Sequence, residues 1–313
     1  MADKKKIALL GAGTMGIGIA QMFAQAGHEV KLIYVYDDKV RARPRETMEA
    51  NLNILREEGV QDGGAIPAIL DRVSWTESLE EAAAFADVVI ECIVEDLAVK
   101  QDYFQKLDAL CPLSTVLTTN TSAISVTEIA GKAVHKERII GTHFWNPAYL
   151  VPLVEVIRTK YVSEETVAAV FQLMEEAGKK PVLVKKDVPG FLANRMQHAL
   201  WREAISIVER GIADAATVDK AVRYSFGLRL PQLGPMENAD MVGTDLTYNI
   251  HDYILKDLED SHEPSPLLKK LRDEGKIGFK TGEGFQTWTP GQIKASNEGL
   301  NDYLVDMLYG KKK

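Results

Sequence analysis

The segment Gly11-Ala12-Gly13-Thr14-Met15-Gly16 constrains this chain more than any other stretch. It lies between an apolar, strand-like run, KIALL, and a helix-forming run, IGIAQMFAQAG. Glycines spaced G-x-G-x-x-G carry little information in isolation, and a mere tight turn is the competing reading. Placed between a strand and a helix, they describe a turn built to receive a pyrophosphate. Gly11 permits the tight turn, Gly13 lets the backbone approach an anion, and Gly16 lets helix pack on strand. The helix N-terminus, with its unpaired N–H groups, attracts the negative charge. Thr14 and Met15, in the same loop, are expected to line the cofactor with the glycines.

A dinucleotide site of this kind usually places an acid at the end of the second strand, about 20 residues on, for the adenosine ribose. In GHEVKLIYVYDD that position holds Tyr34, with Asp37 and Asp38 a few residues later and Arg41 and Arg43 close behind. Asp37 as the ribose ligand favours NAD. The tyrosine with nearby arginines leaves NADP as the alternative.

Short β-branched runs (HEVKLIYVY, ADVVIECI, TVLTTN, RIIGTHF, VPLVEVI, PVLVKK) alternate with helical patterns up to about residue 186, the rhythm of βαβ units in a mostly parallel sheet. Residues 40–72 interrupt it with two helical stretches separated by QDGG, read as an inserted helical hairpin. Beyond residue 186 the pattern is helical almost throughout, apart from the glycine-rich EGKIGFKTGEGFQTWTP. The expected architecture is therefore α/β, with a Rossmann-type domain over 1–186 and an all-α domain over 187–313. A chain of 313 residues is long enough for two cores.

Composition narrows the function. A net charge of −8 disfavours nucleic acid and anionic membranes, and no apolar run is long enough to span a bilayer. Two cysteines, Cys92 and Cys111, suggest reduced thiols rather than a disulfide framework, and no metal-ligand spacing is present. Without a signal-like N-terminus, the cytoplasm is the expected compartment.

His143 closes one strand-like run and Glu155 lies in the next. Oxidising an alcohol by hydride transfer requires removal of the hydroxyl proton, and histidine titrates nearest working pH. A carboxylate beside it would fix its tautomer and favour the imidazolium. A lone histidine near a strand end is more often structural, so the surrounding motifs decide.

Those motifs are GAGTMGIGIA, ECIVEDLAVK, TTNTSAI, HFWNP with LVEVI, KKDVPGFLANR and FKTGEGF. In this order, over residues 6 to 288, they resemble the L-3-hydroxyacyl-CoA dehydrogenase family. The resemblance implies His143 as catalytic base, Glu155 as its partner, and Ser122 and Asn194 in contact with substrate. It further implies Glu95, Lys100, Asn120, Ser122, Asn146 and Lys280 along the dinucleotide, and a homodimer formed through the helical domain. The substrate expected is a small molecule, the 3-hydroxyacyl group of an acyl-CoA.

Two features pull the other way. Residues 51–72 offer only Arg56 and Arg72 against Glu57, Glu58, Asp62 and Asp71, a poor surface for a polyanion such as coenzyme A. The stretch Ala148-Tyr149-Leu150-Val151-Pro152 looks more like relatives acting on free hydroxy acids. A CoA-free 3-hydroxy acid or aromatic alcohol is the alternative substrate, and a non-catalytic, crystallin-like cofactor-binding protein the remaining one.

Overall fold

The computed structural model describes residues 4–34 and 43–310. Asp37, Asp38 and Arg41 lie outside the described residues. Among the described residues eight strands form one sheet: β1 (Lys6–Leu10), β2 (Glu29–Ile33), β3 (Val73–Thr76), β4 (Val88–Glu91), β5 (Val116–Thr119), β6 (Ile139–Phe144), β7 (Leu153–Ile157) and β8 (Lys180–Val184). Their order is β3-β2-β1-β4-β5-β6-β7-β8. Every pairing is parallel except β6 with β7.

Helices α1 (Thr14–Gln25), α2 (Pro44–Glu57), α3 (Ile66–Leu70), α4 (Leu79–Phe85), α5 (Leu97–Leu110), α6 (Val126–Ile129) and α7 (Glu164–Glu176) connect the strands. β1 shows why the sheet needs cover on both sides. Ile7 and Leu9 join one apolar cluster with α1 and α7, while Ala8 and Leu10 join another with α4 and α5, and all four residues are fully buried. A strand apolar at every position but its first is the mark of a parallel sheet with helices on both faces. The inserted hairpin is α2 and α3, anchored to this core by Met48, Leu52, Ile66 and Leu70. Sequence reading passed over β3, where VSWT is short and half exposed at the sheet edge.

The topological reversal falls between β1 and β4, because the chain runs outward from β1 through β2 to β3 and returns to the other side of β1. In sheets of this kind, loops at the carboxyl ends of the strands flanking that point form a crevice.

The described residues that follow carry helices α8 (Ala193–Glu209), α9 (Ala215–Arg223), α10 (Phe226–Arg229), α11 (Pro235–Val242), α12 (Thr244–Ile254), α13 (Pro266–Asp273) and α14 (Pro290–Tyr309). Two compact units result. One comprises residues up to Arg195 together with Asn301 onward, and the other Met196–Leu300. The last turns of α14 belong to the first unit, where Val305 packs on Leu55 and Leu150. Among the described residues no helix is long and apolar enough to cross a membrane.

Candidate active site

The glycine loop follows β1 directly. Gly11 has φ +109° and a Cβ there would lie 2.8 Å from the Cys92 carbonyl oxygen, so only glycine lets β1 and β4 end this close together. A Cβ on Gly16 would come within 1.9 Å of the Gly11 carbonyl oxygen, which fixes the approach of α1 to the strand. Gly13 differs: it is exposed and nothing lies within 4 Å of its would-be Cβ. The protein itself therefore leaves room for a side chain at Gly13. What requires glycine there comes from outside the chain, and a pyrophosphate on the N-terminus of α1 fits. Thr14 is exposed beside it and Met15 half-buried. At the end of β2, Tyr34 packs against the core and its N–H donates to Thr76 O.

Antiparallel pairing of β6 with β7 sets His143 directly opposite Glu155. Residues opposite one another on such a ladder project to the same face. His143 Nδ1 lies 2.8 Å from Glu155 Oε2, with side-chain exposures of 5% and 0%. The other carboxylate oxygen, Oε1, accepts from the Leu192 and Ala193 N–H groups at 2.8 and 3.0 Å. Burial alone would raise the Glu155 carboxyl, but the His143 imidazole and these two amides outweigh it and hold the group below its ordinary value. An anionic Glu155 favours a proton on Nδ1, and Nε2 has no hydrogen-bond partner among the described residues.

The amides that serve Glu155 come from the turn between β8 and α8. Gly190 and Phe191 both have positive φ, +74° and +50°. A left-handed phenylalanine is uncommon and has to be held by its surroundings. Here the ring is fully buried and lies 5.6 Å from the His143 ring, so the strained residue forms one wall of the histidine pocket.

Several of the remaining expected residues form a connected network at the carboxyl ends of β4 and β5. Glu91, fully buried at the end of β4, accepts from Ile93 N at 2.7 Å, Lys100 Nζ at 2.7 Å and Thr119 Oγ1 at 2.6 Å. Lys100, only 1% exposed, also reaches Glu95 at 3.2 Å. Glu95 accepts from the Thr121 hydroxyl and from the N–H groups of Ser122 and Ala123. Burial pushes the Glu95 carboxyl up, yet these donors and the Lys100 charge prevail and lower it. The Ser122 carbonyl accepts from Asn194 Nδ2 at 3.3 Å, and Asn120 Oδ1 accepts from Phe144 N, the amide next to His143.

Ser122, Glu95, Lys100 and Asn194 are thus tied together, while His143, Glu155 and Asn120 meet along β5, β6 and β7. Lys100 lies inside this network rather than projecting from it. Asn146 is exposed and joined to Pro147 by a cis peptide. Lys280 is exposed in the other unit, before the Thr281–Gly282 turn. Sequence reasoning missed Glu91, although a carboxylate inside the apolar run ADVVIECI signals a buried cation. It also missed Phe191 and Lys179. The buried Lys179 ammonium donates to the carbonyls of Ala148 and Val151 and pins the loop after His143, and burial lowers its pKa to about 8.

A doubly wound sheet with a glycine-rich turn at its reversal point, and a buried His–Glu pair at the end of a neighbouring strand, defines a nicotinamide-dependent dehydrogenase. Family models agree. Residues 6–188 match the 3-hydroxyacyl-CoA dehydrogenase NAD binding domain and residues 190–288 match the 3-hydroxyacyl-CoA dehydrogenase C-terminal domain. The chain belongs to the 3-hydroxyacyl-CoA dehydrogenase family and is an NAD-dependent oxidoreductase.

Among relatives, a probable 3-hydroxybutyryl-CoA dehydrogenase of Bacillus subtilis is 39% identical over 90% of this chain and 96% of its own length. The 5-formyl-3-hydroxy-2-methylpyridine 4-carboxylate 5-dehydrogenase of Mesorhizobium japonicum is 34% identical over 93% of each chain. A solved structure of a 5-dehydrogenase of that pyridine carboxylate, described as an NAD+-dependent dismutase, superposes with a TM-score of 0.89 at 33% identity, covering 97% of both chains. The (S)-3-hydroxybutyryl-CoA dehydrogenase of Ralstonia eutropha superposes at 0.76 with 29% identity, over 92% of this chain and all of the other.

Proposed function

We propose that this enzyme interconverts a secondary alcohol and a ketone at C3 of a 3-hydroxyacyl-CoA, with His143 as the proton acceptor and Glu155 as the group that orients it. The observation that carries the reading is the buried His143–Glu155 pair. Bound at the Gly11–Gly16 turn, NAD supplies the hydride acceptor. Nε2 of His143 takes the hydroxyl proton as the alcohol is oxidised. The imidazolium so formed is stabilised by the carboxylate at Nδ1, and the proton returns by the same path in reduction. Ser122 and Asn194 border the substrate, Glu95 and Lys100 hold the Ser122 loop in shape, and Asn120 and Asn146 attend the cofactor.

One observation favours a CoA-free substrate as the second reading. Each arginine of the hairpin between Pro44 and Arg72 is already engaged: Arg45 with Asp71, Arg56 with Glu57, and Arg72 with the Ala24 carbonyl. Each of these three cations already faces a carboxylate or carbonyl, and the solved relative with the TM-score of 0.89 is named for a free pyridine carboxylate.

We also infer a homodimer. Between Met196 and Leu300 only Ser206 is buried, while Tyr224, Leu228, Met236, Tyr248 and Tyr253 are each more than 70% exposed. A helical unit without a buried apolar residue has its core completed by a partner surface.

The test is NADH oxidation with acetoacetyl-CoA and, separately, with acetoacetate. Turnover of the thioester supports the first reading, and turnover of the free acid alone supports the second. His143→Gln is expected to lose at least about a hundredfold in turnover while keeping NADH affinity. Full activity in that variant would overturn the assignment of the base.

A further inference from the structure

The His143 pocket contains a donor that the mechanism above does not use. Trp145 Nε1 is buried and has no hydrogen-bond acceptor among the described residues. The only other buried side-chain polar atom in that position among them is Asp187 Oδ1, and the two cases differ. Asp187 uses its second oxygen to accept from Ser125 Oγ and Thr127 N, both at 2.7 Å. Under-satisfied carboxylate or carbonyl oxygens are the commoner exception, whereas an indole has one donor and here it goes unused. Buried donors without acceptors are rare because they have given up water for nothing.

The position of this donor is specific. Trp145 follows His143 by two residues, one past the end of β6, and in an extended chain that spacing returns a side chain to the same face. The rings accordingly pack edge to face, with centroids 5.5 Å apart and an interplanar angle of 60°. Phe191 packs on the same imidazole at 5.6 Å without any side-chain polar atom. The His143 ring is therefore packed against two aromatic rings, of which one carries an unused N–H.

We propose that Trp145 Nε1–H donates to the C1 oxygen of the substrate, the carbonyl or carboxylate oxygen two carbons from the alcohol that His143 deprotonates. The inference rests on the reading of His143 as the base. A 3-hydroxyacyl thioester and a free 3-hydroxy acid share this oxygen and this spacing, and both place a strong acceptor within one small molecule of the histidine. Donation to the thioester carbonyl is a neutral hydrogen bond and donation to a carboxylate is a charge-assisted one. Trp145 therefore discriminates between the two by strength as well as by fit. It also selects against alcohols with no second oxygen at that position, since these would leave the N–H unpaired.

The decisive experiment follows the indole N–H resonances of the 15N-labelled protein, which has four tryptophans. Trp145→Phe identifies the resonance. Should that variant fail to fold, single phenylalanine replacements of Trp75, Trp201 and Trp288 identify it by elimination. NAD is added first, then acetoacetyl-CoA or acetoacetate, a combination in which both partners are oxidised and no turnover occurs. The Trp145 resonance is expected to stay in place with NAD and to move with the ketone. In Trp145→Phe, kcat/KM should fall about tenfold for the thioester and up to about a hundredfold for a free acid, mainly through KM, with NADH affinity and thermal stability kept. A resonance that moves with NAD alone, together with weakened NADH binding in the variant, would assign the donor to the cofactor and overturn the proposal. So would a resonance indifferent to a ketone that the enzyme turns over, which leaves His143 as base intact. Absence of turnover with both ketones would refute the functional reading and this inference together.

Discussion

Gly13 and Gly16 belong to one motif, yet the structure gives them opposite reasons for being glycine, and substituting alanine at each separates the two. At Gly16 a Cβ would lie 1.9 Å from the Gly11 carbonyl oxygen, where real contacts essentially never fall below 3.0 Å. Helix α1 would have to move by about 1 Å at the point where it leaves the strand. Overpacking of this kind costs about 1–3 kcal/mol, against a gain of up to about 1 kcal/mol from alanine's better helix propensity. Gly16→Ala should therefore melt several degrees lower, with cofactor binding weakened as a consequence of the displaced turn. At Gly13 nothing lies within 4 Å, and φ −78° with ψ −174° is backbone that alanine adopts freely. Alanine is a poorer helix N-cap than glycine, but it restricts the unfolded chain by about 0.4–1 kcal/mol. The two effects nearly cancel, so Gly13→Ala should melt within about 2 °C of the parent. Its Cβ instead occupies the space into which the pyrophosphate must come. The same packing cost of about 1–3 kcal/mol then appears in binding, a 5- to 150-fold rise in Kd. NADH fluorescence titration and thermal melts on the same three proteins measure both quantities. Unchanged NADH affinity in Gly13→Ala would refute the argument, because it would mean that no ligand approaches the loop there.

Glu155 gives the pH dependence. Its carboxyl titrates below the ordinary value of 4.5 in the fold, so the unfolded chain binds the proton more readily and stability rises with pH across that window. The contribution is complete above about pH 4.5 and is lost as pH falls through the folded value. Melts between about pH 6 and pH 3 should show a steeper acid limb in the parent than in Glu155→Gln, and parallel limbs would refute the assignment. Sedimentation equilibrium should give twice the mass of one chain, 34.7 kDa, and a single-chain mass at micromolar concentration would overturn the homodimer.

Much of this enzyme can be read from its residues in one dimension. The glycine spacing between a strand and a helix, the alternation of apolar runs, and the switch to helical periodicity near residue 186 are local patterns, and local sterics and hydrophobic periodicity act within one or two turns of chain. His143 and Glu155 were singled out by the motifs HFWNP and LVEVI and the family these resemble, since a lone histidine near a strand end reads as structural. The partnership was expected from that resemblance, but the geometry that makes it was not legible. It required β7 to run antiparallel in an otherwise parallel sheet, with a register that sets residue 155 opposite residue 143. Glu95 and Lys100 looked like free charges because exposure is a property of the assembled sheet. Only in three dimensions does Lys100 sink between Glu91 and Glu95 and organise the Ser122 loop instead of meeting solvent. Phe191 and the donor of Trp145 were invisible for a related reason. A left-handed backbone and an unused hydrogen bond arise from what surrounds a residue, not from which residue it is. The sequence alone determined the class of fold and the chemistry available to it. Tertiary structure decided which charges are buried, which are paired, and which one donor is left for a substrate, because those depend on contacts between residues far apart in the chain.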